Sequence, residues 1–265
     1  MAILHLLLGS VALIGCMVAL CQLLRSLIRR TVPSGLAQDL LIEIVSTLQL
    51  CCCTREMILL GTLGGIQPWL ALTLTYLLTV LHCLTFQGAT CNPCGSLEQW
   101  LRAQAPGPYI ILKLAAQFVG ALLSQVLMPN IWLLRLSPLH AWDKGCGSPL
   151  NMAPWQGALV EMTCALSLFL AMHFLPRVKP QYRPHVVALT ITAIVYAGAP
   201  LTGAVFNPAL AFAVVFLCQG NSLLQYIVVY WIGPIIGMVF SIVILERGIP
   251  KIKQDKASPY HVKSD

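Results

Sequence analysis

Long apolar segments constrain this chain more strongly than any other feature of its sequence. Each is close to the roughly 20 residues that a helix needs to cross a bilayer. There are seven, at about 2–24, 36–60, 68–87, 109–134, 155–175, 184–201 and 223–245. Because lipid offers the backbone no hydrogen-bond partners, these segments must be helices rather than open strands. Only 9% of the residues are charged, against about 25% in soluble domains, so the sequence predicts an all-α membrane protein.

The net charge of +7 is concentrated in short clusters beside three of these segments. Such clusters, unlike a basic stripe on a folded face, indicate orientation in a lipid bilayer and argue against nucleic acid as a partner. The clusters are Arg25, Arg29 and Arg30 after the first segment, Arg177, Lys179 and Arg183 after the fifth, and Arg247, Lys251, Lys253, Lys256 and Lys263 after the last. An even number of segments separates each cluster from the next, so all three can face the cytosol. We expect residues 249–265 to form a flexible cytosolic tail.

Residues 1–30 raise the question of whether the first apolar segment stays in the mature protein. A cleaved signal peptide would carry its positive charges before the apolar run, whereas here they follow it. We therefore favour an extra N-terminal hydrophobic helix that is not cleaved, with a removed signal peptide as the alternative.

The chain contains 11 cysteines, most of them inside apolar segments. Cysteines in such surroundings act as small hydrophobic side chains, and Cys218 is interpreted in this way. Cys146 lies in a loop without an evident partner. No disulfide framework can be inferred from the spacing.

A short pattern, Gly-Ala-x-x-Asn-Pro, occurs twice between long apolar segments. The two copies continue through Asn92, Pro93 and Cys94 and through Asn207, Pro208 and Ala209. Asn is a preferred N-cap, and Pro suits the first helical position. Each copy opens a short apolar stretch, 92–102 or 207–218. At about 1.5 Å per residue such a stretch reaches roughly 15 Å, half of a bilayer core, which predicts two re-entrant half-helices.

The two copies belong to an inverted internal repeat. Glu43 lies in the second apolar segment and Glu161 at the corresponding place in the fifth, in the triplets Leu-Ile-Glu and Leu-Val-Glu. Residues 36–135 and 155–248 each contain three full spans and one half-helix, and an odd number of spans inverts the second half in the membrane. In inverted repeats the transport site lies near the bilayer midplane, with half-helix N-termini pointing at it.

This geometry predicts a pore for small neutral molecules. Two helix N-termini at the midplane carry about half a positive charge each, which repels cations and protons. If the oxygen of each Asn side chain caps its helix, the NH₂ group is expected to be free to donate to a passing molecule. Asn-Pro also marks ordinary turns, but two copies in matched apolar settings favour the pore.

Glu43 and Glu161 are carboxyl groups inside apolar segments, where charge is costly and usually functional. We expect both to support the irregular backbone before each Asn-Pro by accepting its hydrogen bonds, with a proton relay as the alternative. His82 and His173 are expected to be packed, hydrogen-bonded histidines, because no metal-ligand spacing surrounds them. We expect no metal and no cofactor.

Cys91 and Cys94 support a competing interpretation, because C-x-x-C is the spacing of dithiol redox sites. Only Asn-Pro is repeated in the second copy, where Phe206 and Ala209 replace the thiols. We therefore expect a channel and not an enzyme. A membrane thiol redox protein and a non-conducting scaffold remain the alternatives.

The chain resembles the aquaporin (major intrinsic protein) family over about residues 36–246. The resemblance lies in the two Asn-Pro motifs, the glutamate of each half, Gln117 with Gly120-Ala121, and Tyr230-Trp231 with Gly233-Pro234. Cys94, the run Leu50-Cys51-Cys52-Cys53-Thr54 and the stretch 201–210 are similar to the superaquaporins, the subfamily of aquaporins 11 and 12. The resemblance implies an inverted repeat of six transmembrane helices with two half-helices, and a homotetramer with one pore per subunit. It also implies an intracellular membrane, notably the endoplasmic reticulum, with the plasma membrane as the alternative.

The outer constriction departs from the pattern of orthodox aquaporins. The family places an arginine after the second Asn-Pro-Ala, where this chain has Leu210. The resemblance assigns the other constriction positions to Leu72, Val195 and Ala204. A wholly apolar constriction raises the barrier for water and lacks a fixed positive charge against cations. We therefore expect glycerol and hydrogen peroxide, together with water, as permeants.

Overall fold

The computed structural model describes residues 2–141, 146–216 and 218–248, and most of these residues are helical. The helices are α1 (Ala2–Thr31), α2 (Leu36–Leu63), α3 (Pro68–Thr85), α4 (Pro93–Leu101), α5 (Gly107–Trp132), α6 (Pro154–Phe174), α7 (Arg183–Thr202), α8 (Pro208–Val214), α9 (Leu223–Ile227) and α10 (Gly233–Gly248). A π-helical turn, Val228–Ile232, joins α9 to α10. Within the described ranges, pairing of extended backbone is limited to one isolated bridge, between Gly147 and Gln219.

Seven helical segments of the described chain are long and apolar enough to cross a membrane. They coincide with the seven predicted segments, and α9, the π-helical turn and α10 together form the last one, Leu223–Glu246. By contrast α4 has 9 residues and α8 has 7, which is too short to span a bilayer. The predicted fold is therefore confirmed: an inverted repeat of six membrane helices with two half-helices, preceded by the additional helix α1.

The two halves of the repeat pack in the same way. In the first half α2 packs against α5, and in the second half α6 packs against α10. A Cβ atom on Gly120 would lie only 2.6 Å from the carbonyl oxygen of Ile44, and one on Gly233 only 2.7 Å from that of Ala158. Gly233 and Gly237 both lie against the α6 backbone, and the absence of a side chain at these positions allows a close helix crossing. Helices α3 and α7 join the two halves.

The additional helix α1 packs along α2 through both apolar and polar contacts. Its apolar contacts are formed by Ile14, Met17, Val18 and Cys21 with Val45, Cys52, Cys53 and Met128. Near one end of α1, the Ser10 hydroxyl donates to Glu56 at 2.6 Å. Near the other end, the buried guanidinium of Arg25 donates to Gln49 at 2.7 Å. These contacts join α1 to the body of the protein.

The burial of Arg25 corrects one sequence-based interpretation. The sequence places Arg25 in the first basic cluster as a signal of membrane orientation, but its side chain is fully buried. Arg29 and Arg30 are exposed, so they carry the signal at this end of α1. The lysines of the predicted tail, Lys251, Lys253, Lys256 and Lys263, lie outside the described residues.

Cys146 and Cys218 form a disulfide, contrary to the interpretation of Cys146 as unpartnered and of Cys218 as a small hydrophobic residue. After Val214 the chain leaves α8 and returns to the loop between α5 and α6, where Gln219 N donates to Cys146 O at 2.9 Å. This return also explains why the second half-helix ends before the predicted limit of residue 218. Since α2, α3 and α5 cross the membrane between Arg30 and this loop, the disulfide lies on the side opposite the exposed arginines.

Candidate functional site: the paired Asn-Pro helix starts

Each half-helix begins with the predicted cap. The Oδ1 atom of Asn92 accepts a hydrogen bond from Cys94 N at 3.0 Å. The Oδ1 atom of Asn207 accepts from Ala209 N at 3.0 Å and from Leu210 N at 3.2 Å. In both cases Asn is the N-cap and the following proline opens the helix, because a proline in this position gives up no intrahelical hydrogen bond.

The residue before each Asn adopts a left-handed backbone conformation. Cys91 has a φ of 53° and Phe206 a φ of 36°. For residues with a Cβ atom this conformation is unfavourable, and it persists only where the surroundings impose it. Because the two positions correspond in the repeat, the same unfavourable turn precedes both half-helices.

Glu43 imposes the first of these turns. Its carboxylate accepts from Cys91 N at 2.7 Å, from Thr90 N at 3.1 Å and from the Thr90 hydroxyl at 2.9 Å. The side-chain amide of Gln117 donates to the same carboxylate at 2.7 Å. The two backbone N–H groups that precede Asn92 are therefore satisfied by one side chain of α2.

Glu161 occupies the same place in the second half. Its carboxylate accepts from Val205 N at 3.1 Å and also from Phe206 N. The hydroxyl of Thr202 is its third donor. Both glutamates are buried, and both bind the two N–H groups that immediately precede an Asn.

The two asparagines bind each other's loops. The Nδ2 atom of Asn207 donates to the carbonyl oxygen of Cys91 at 2.8 Å, and the Nδ2 atom of Asn92 donates to that of Phe206 at 3.4 Å. The expectation of a wholly free NH₂ group is therefore wrong, because the opposite loop supplies an acceptor. An amide NH₂ has two N–H bonds, so each group retains one N–H beyond this contact.

The residues expected at the outer constriction divide between different packing clusters. Val195 and Ala204 pack in the cluster that contains Cys94 and Phe206. Leu210 packs instead beside Val205 and Tyr230, and also beside Cys51. Leu72 lies on α3 and is partly exposed. Pro93, Pro208 and Ala209 are buried at the two helix starts.

The C-terminal end of α8 is held by residues that no sequence motif identifies. Arg55 of α2 donates to the carbonyl oxygen of Ala213, and Gln125 of α5 donates to that of Phe212. The Arg55 guanidinium also lies 5.4 Å from the ring centroid of Trp132. A cation at a helix C-terminus is favourable for the helix dipole. The only sequence signal for Arg55 is that a charge near an apolar segment is costly.

The thiols of the C-x-x-C motif are not joined to each other. Cys91 and Cys94 are both free, with 1% and 0% of their surface exposed. Cys94 packs in an apolar cluster together with Cys164. This environment keeps both sulfur atoms away from solvent.

The two histidines differ in their packing. His82 stacks on Phe86 with ring centroids 4.8 Å apart, but its buried Nε2 atom has no hydrogen-bond partner among the described residues. His82 is therefore packed, but it is not fully hydrogen-bonded as expected. His173 lies edge-on to Phe174. In the described part of the chain, no group of three or more His, Cys, Asp or Glu residues could hold a metal ion.

Comparison with known proteins places this arrangement in a family. Residues 67–244 match the family model of the major intrinsic protein. The chain is 36% identical over 217 residues to aquaporin-11 of Equus caballus, covering 81% of this chain and 80% of that protein. It is also 36% identical over 244 residues to aquaporin-12 of Mus musculus, covering 89% of this chain and 84% of that protein.

A solved structure has the same fold. The aquaglyceroporin from Plasmodium falciparum matches with a TM-score of 0.64 and 17% sequence identity, covering 80% of this chain and 96% of that chain. At this identity the likeness concerns the fold alone. The family match, the similar sequences and the paired Asn-Pro helix starts together show that the chain belongs to the major intrinsic protein (aquaporin) family of multi-pass membrane channels.

Proposed function

We propose that this channel conducts water and small neutral solutes, glycerol and hydrogen peroxide among them, past the paired Asn-Pro starts. The reciprocal contact of Asn92 with Phe206 O and of Asn207 with Cys91 O is the observation that carries the proposal. It holds both amide groups at the junction of the halves and leaves one N–H of each to donate to the oxygen of a permeant.

The electrostatics of the two half-helices support a neutral permeant. The N-termini of α4 and α8 begin at these two asparagines, and each contributes about half a positive charge. A cation at this point meets repulsion from both helices, whereas a neutral molecule is little affected. Glu43 and Glu161 act as loop-supporting residues in this proposal, since each accepts the backbone N–H groups before an Asn.

We place the selectivity of the pore at an apolar constriction formed by Leu72, Val195, Ala204 and Leu210. Support comes from their spacing from the Asn-Pro motifs, which the family resemblance assigns to the constriction, and from the packing of Val195 and Ala204 with the Cys94 cluster. The side chains of this constriction offer water no hydrogen bonds in exchange for its hydration, so we expect slow water passage relative to orthodox members.

The domain organisation that we propose retains residues 1–30 as a permanent helix before the repeats 36–135 and 155–248. The support is energetic: without α1, Glu56 loses the Ser10 donor and Gln49 loses the Arg25 donor. A buried acceptor that loses its donor costs about 1–3 kcal/mol; this cost falls mainly on Gln49, because Glu56 keeps its contacts with Trp132 and His140. Mass determination of the purified protein tests this directly, because a cleaved chain would lack the first helix.

We propose a membrane of the secretory pathway, the endoplasmic reticulum in particular, as the location of a homotetramer. The disulfide Cys146–Cys218 supports the location, since disulfides persist in oxidising compartments. It lies opposite the arginines that would face the cytosol. The homotetramer rests on the family resemblance alone, and light scattering of the purified channel in detergent measures it.

Uptake experiments on purified protein in proteoliposomes test the proposed permeants. We expect glycerol and hydrogen peroxide to enter faster than into vesicles without protein, while potassium ions do not. Vesicles that take up neither solute above the protein-free background, at verified protein density, would remove both from the proposal.

A further inference from the structure

A buried lysine lies beside the first half-helix and has no counterpart among the described residues of the second half. Lys113 of α5 is 6% exposed. Its Nζ atom lies 3.7 Å from Glu43 Oε2 and 3.3 Å from Gln99 Oε1. The ring centroid of Tyr109 lies 5.9 Å from the same atom. A lysine inside a membrane-embedded bundle is costly unless its charge is paired, so this position requires a reason.

The contacts of Lys113 lead to the junction of the two halves in three steps. Lys113 is the cationic neighbour of Glu43. Glu43 binds the N–H of Cys91 at 2.7 Å, which helps to impose the left-handed turn at that residue. The carbonyl oxygen of Cys91 then accepts the 2.8 Å hydrogen bond from Asn207. A charge on α5 is in this way connected to the amide group of the opposite repeat.

The second half lacks this arrangement. Glu161 is bound by Thr202, Val205 and Phe206, and within the described ranges no ion pair involves it. The corresponding bond from Asn92 to Phe206 O is also longer, at 3.4 Å. The half with the lysine therefore has the shorter contact at the junction.

We infer that Lys113 is a positioning residue of the pore: it pairs with the Glu43 carboxylate and so fixes the carbonyl of Cys91 where Asn207 binds it. The inference rests on the proposed channel function. Its rival is a purely local role, in which Lys113 only fastens α4 through Gln99. The two roles differ in whether the charge acts through Glu43.

A double-mutant cycle separates them. Water permeability per channel is measured for the wild type, Lys113→Met, Glu43→Gln and the double variant, in proteoliposomes of matched protein density. We expect Lys113→Met to lower permeability about threefold or more, and the double variant to be no worse than Glu43→Gln alone, because residues in one network are not additive. Lys113→Arg, which keeps the charge, is expected to recover most of the loss.

The matched controls are Lys113→Met combined with Glu161→Gln, and Gln99→Leu alone. Lys113 is paired with Glu43 and not with Glu161, so in the first combination the two fold-losses in permeability should multiply. Gln99→Leu should keep wild-type permeability, since it leaves the contact of Lys113 with Glu43 in place. Two results would overturn the inference. One is that the permeability losses of Lys113→Met and Glu43→Gln multiply in their double variant. The other is that Gln99→Leu lowers permeability as much as Lys113→Met does.

The melting temperature in detergent provides a readout that does not need conduction. Lys113→Met leaves the Glu43 carboxylate buried without its cation, so the double variant should melt higher than Lys113→Met. If the wild type does not conduct but this order is observed, the proposed permeants fail while the pairing stands. A double variant that melts below the wild type by the sum of the two single-variant shifts would contradict the pairing itself.

Discussion

Asn207 donates its side-chain amide to the carbonyl oxygen of Cys91, 116 residues earlier in the chain, at 2.8 Å. The reverse contact, from Asn92 to Phe206 O, completes the exchange. Each half of the repeat therefore positions the amide of the other half. The junction exists only when both halves have folded together, and a change in one loop should affect the donor of the opposite loop.

Asn207→Asp should lower neutral-solute flux at least several-fold in a channel that still folds. The aspartate retains an oxygen for the cap on Ala209 N and Leu210 N, but it replaces the donor to Cys91 O with a second acceptor. Stopped-flow water permeability at matched protein density measures the effect. The exposed Asn130, whose side chain donates to Val126 O within α5, provides the control Asn130→Asp. Wild-type flux in Asn207→Asp would contradict the role.

Leu210→Ala should raise the ratio of glycerol to water permeability by roughly threefold or more, because a shorter side chain widens an apolar constriction. Parallel glycerol and water measurements on one vesicle preparation give the ratio directly. Leu84→Ala is the control, since Leu84 is 65% exposed on α3. An unchanged ratio in Leu210→Ala would place this residue outside the constriction.

The combined substitution of Cys91→Ser and Cys94→Ser discriminates the channel from a thiol redox protein. We expect flux to stay within about a factor of two of the wild-type value, because both thiols are buried. The hydrogen bond from Asn207 goes to the backbone carbonyl of Cys91, which the substitution leaves in place. Permeability and disulfide-exchange activity are measured on the same samples. Loss of an exchange activity that the wild type possesses would support the redox alternative.

Cys146→Ser should destabilise the protein by about 4 kcal/mol, the loss of chain entropy expected for a disulfide that closes a loop of this length. The bond links positions 72 residues apart. Thermal unfolding of the wild type with reductant should match that of Cys146→Ser without it. Cys83→Ser, at an exposed free cysteine, is the control. If reductant does not change the wild-type melting temperature, the disulfide contributes little to stability.

The helices and their N-caps can be predicted from short stretches of the sequence. Segment length identifies the seven spans, because a bilayer has a fixed thickness. Asn followed by Pro identifies the start of each half-helix from the chemistry of two adjacent residues. The match of Glu43 with Glu161 followed from the repeat, which is visible in the sequence before any contact is known.

Contacts between residues far apart in the chain cannot be predicted from such short stretches. Cys218 pairs with Cys146 because the chain turns back after Val214, and composition gives no sign of that turn. Arg25 belongs to a basic cluster by position, yet it faces Gln49 inside the bundle. The same limit applies to Lys113, because which neighbours its side chain meets depends on how α5 packs against the other helices.

The central claim is that the two Asn-Pro starts form one conducting site, and the osmotic water permeability of proteoliposomes tests it most directly. We predict that vesicles with the wild-type channel shrink faster than protein-free vesicles, and that vesicles with Asn92→Asp and Asn207→Asp together return close to the protein-free rate. Equal rates for the wild type and this double variant, both above protein-free vesicles, would contradict the account.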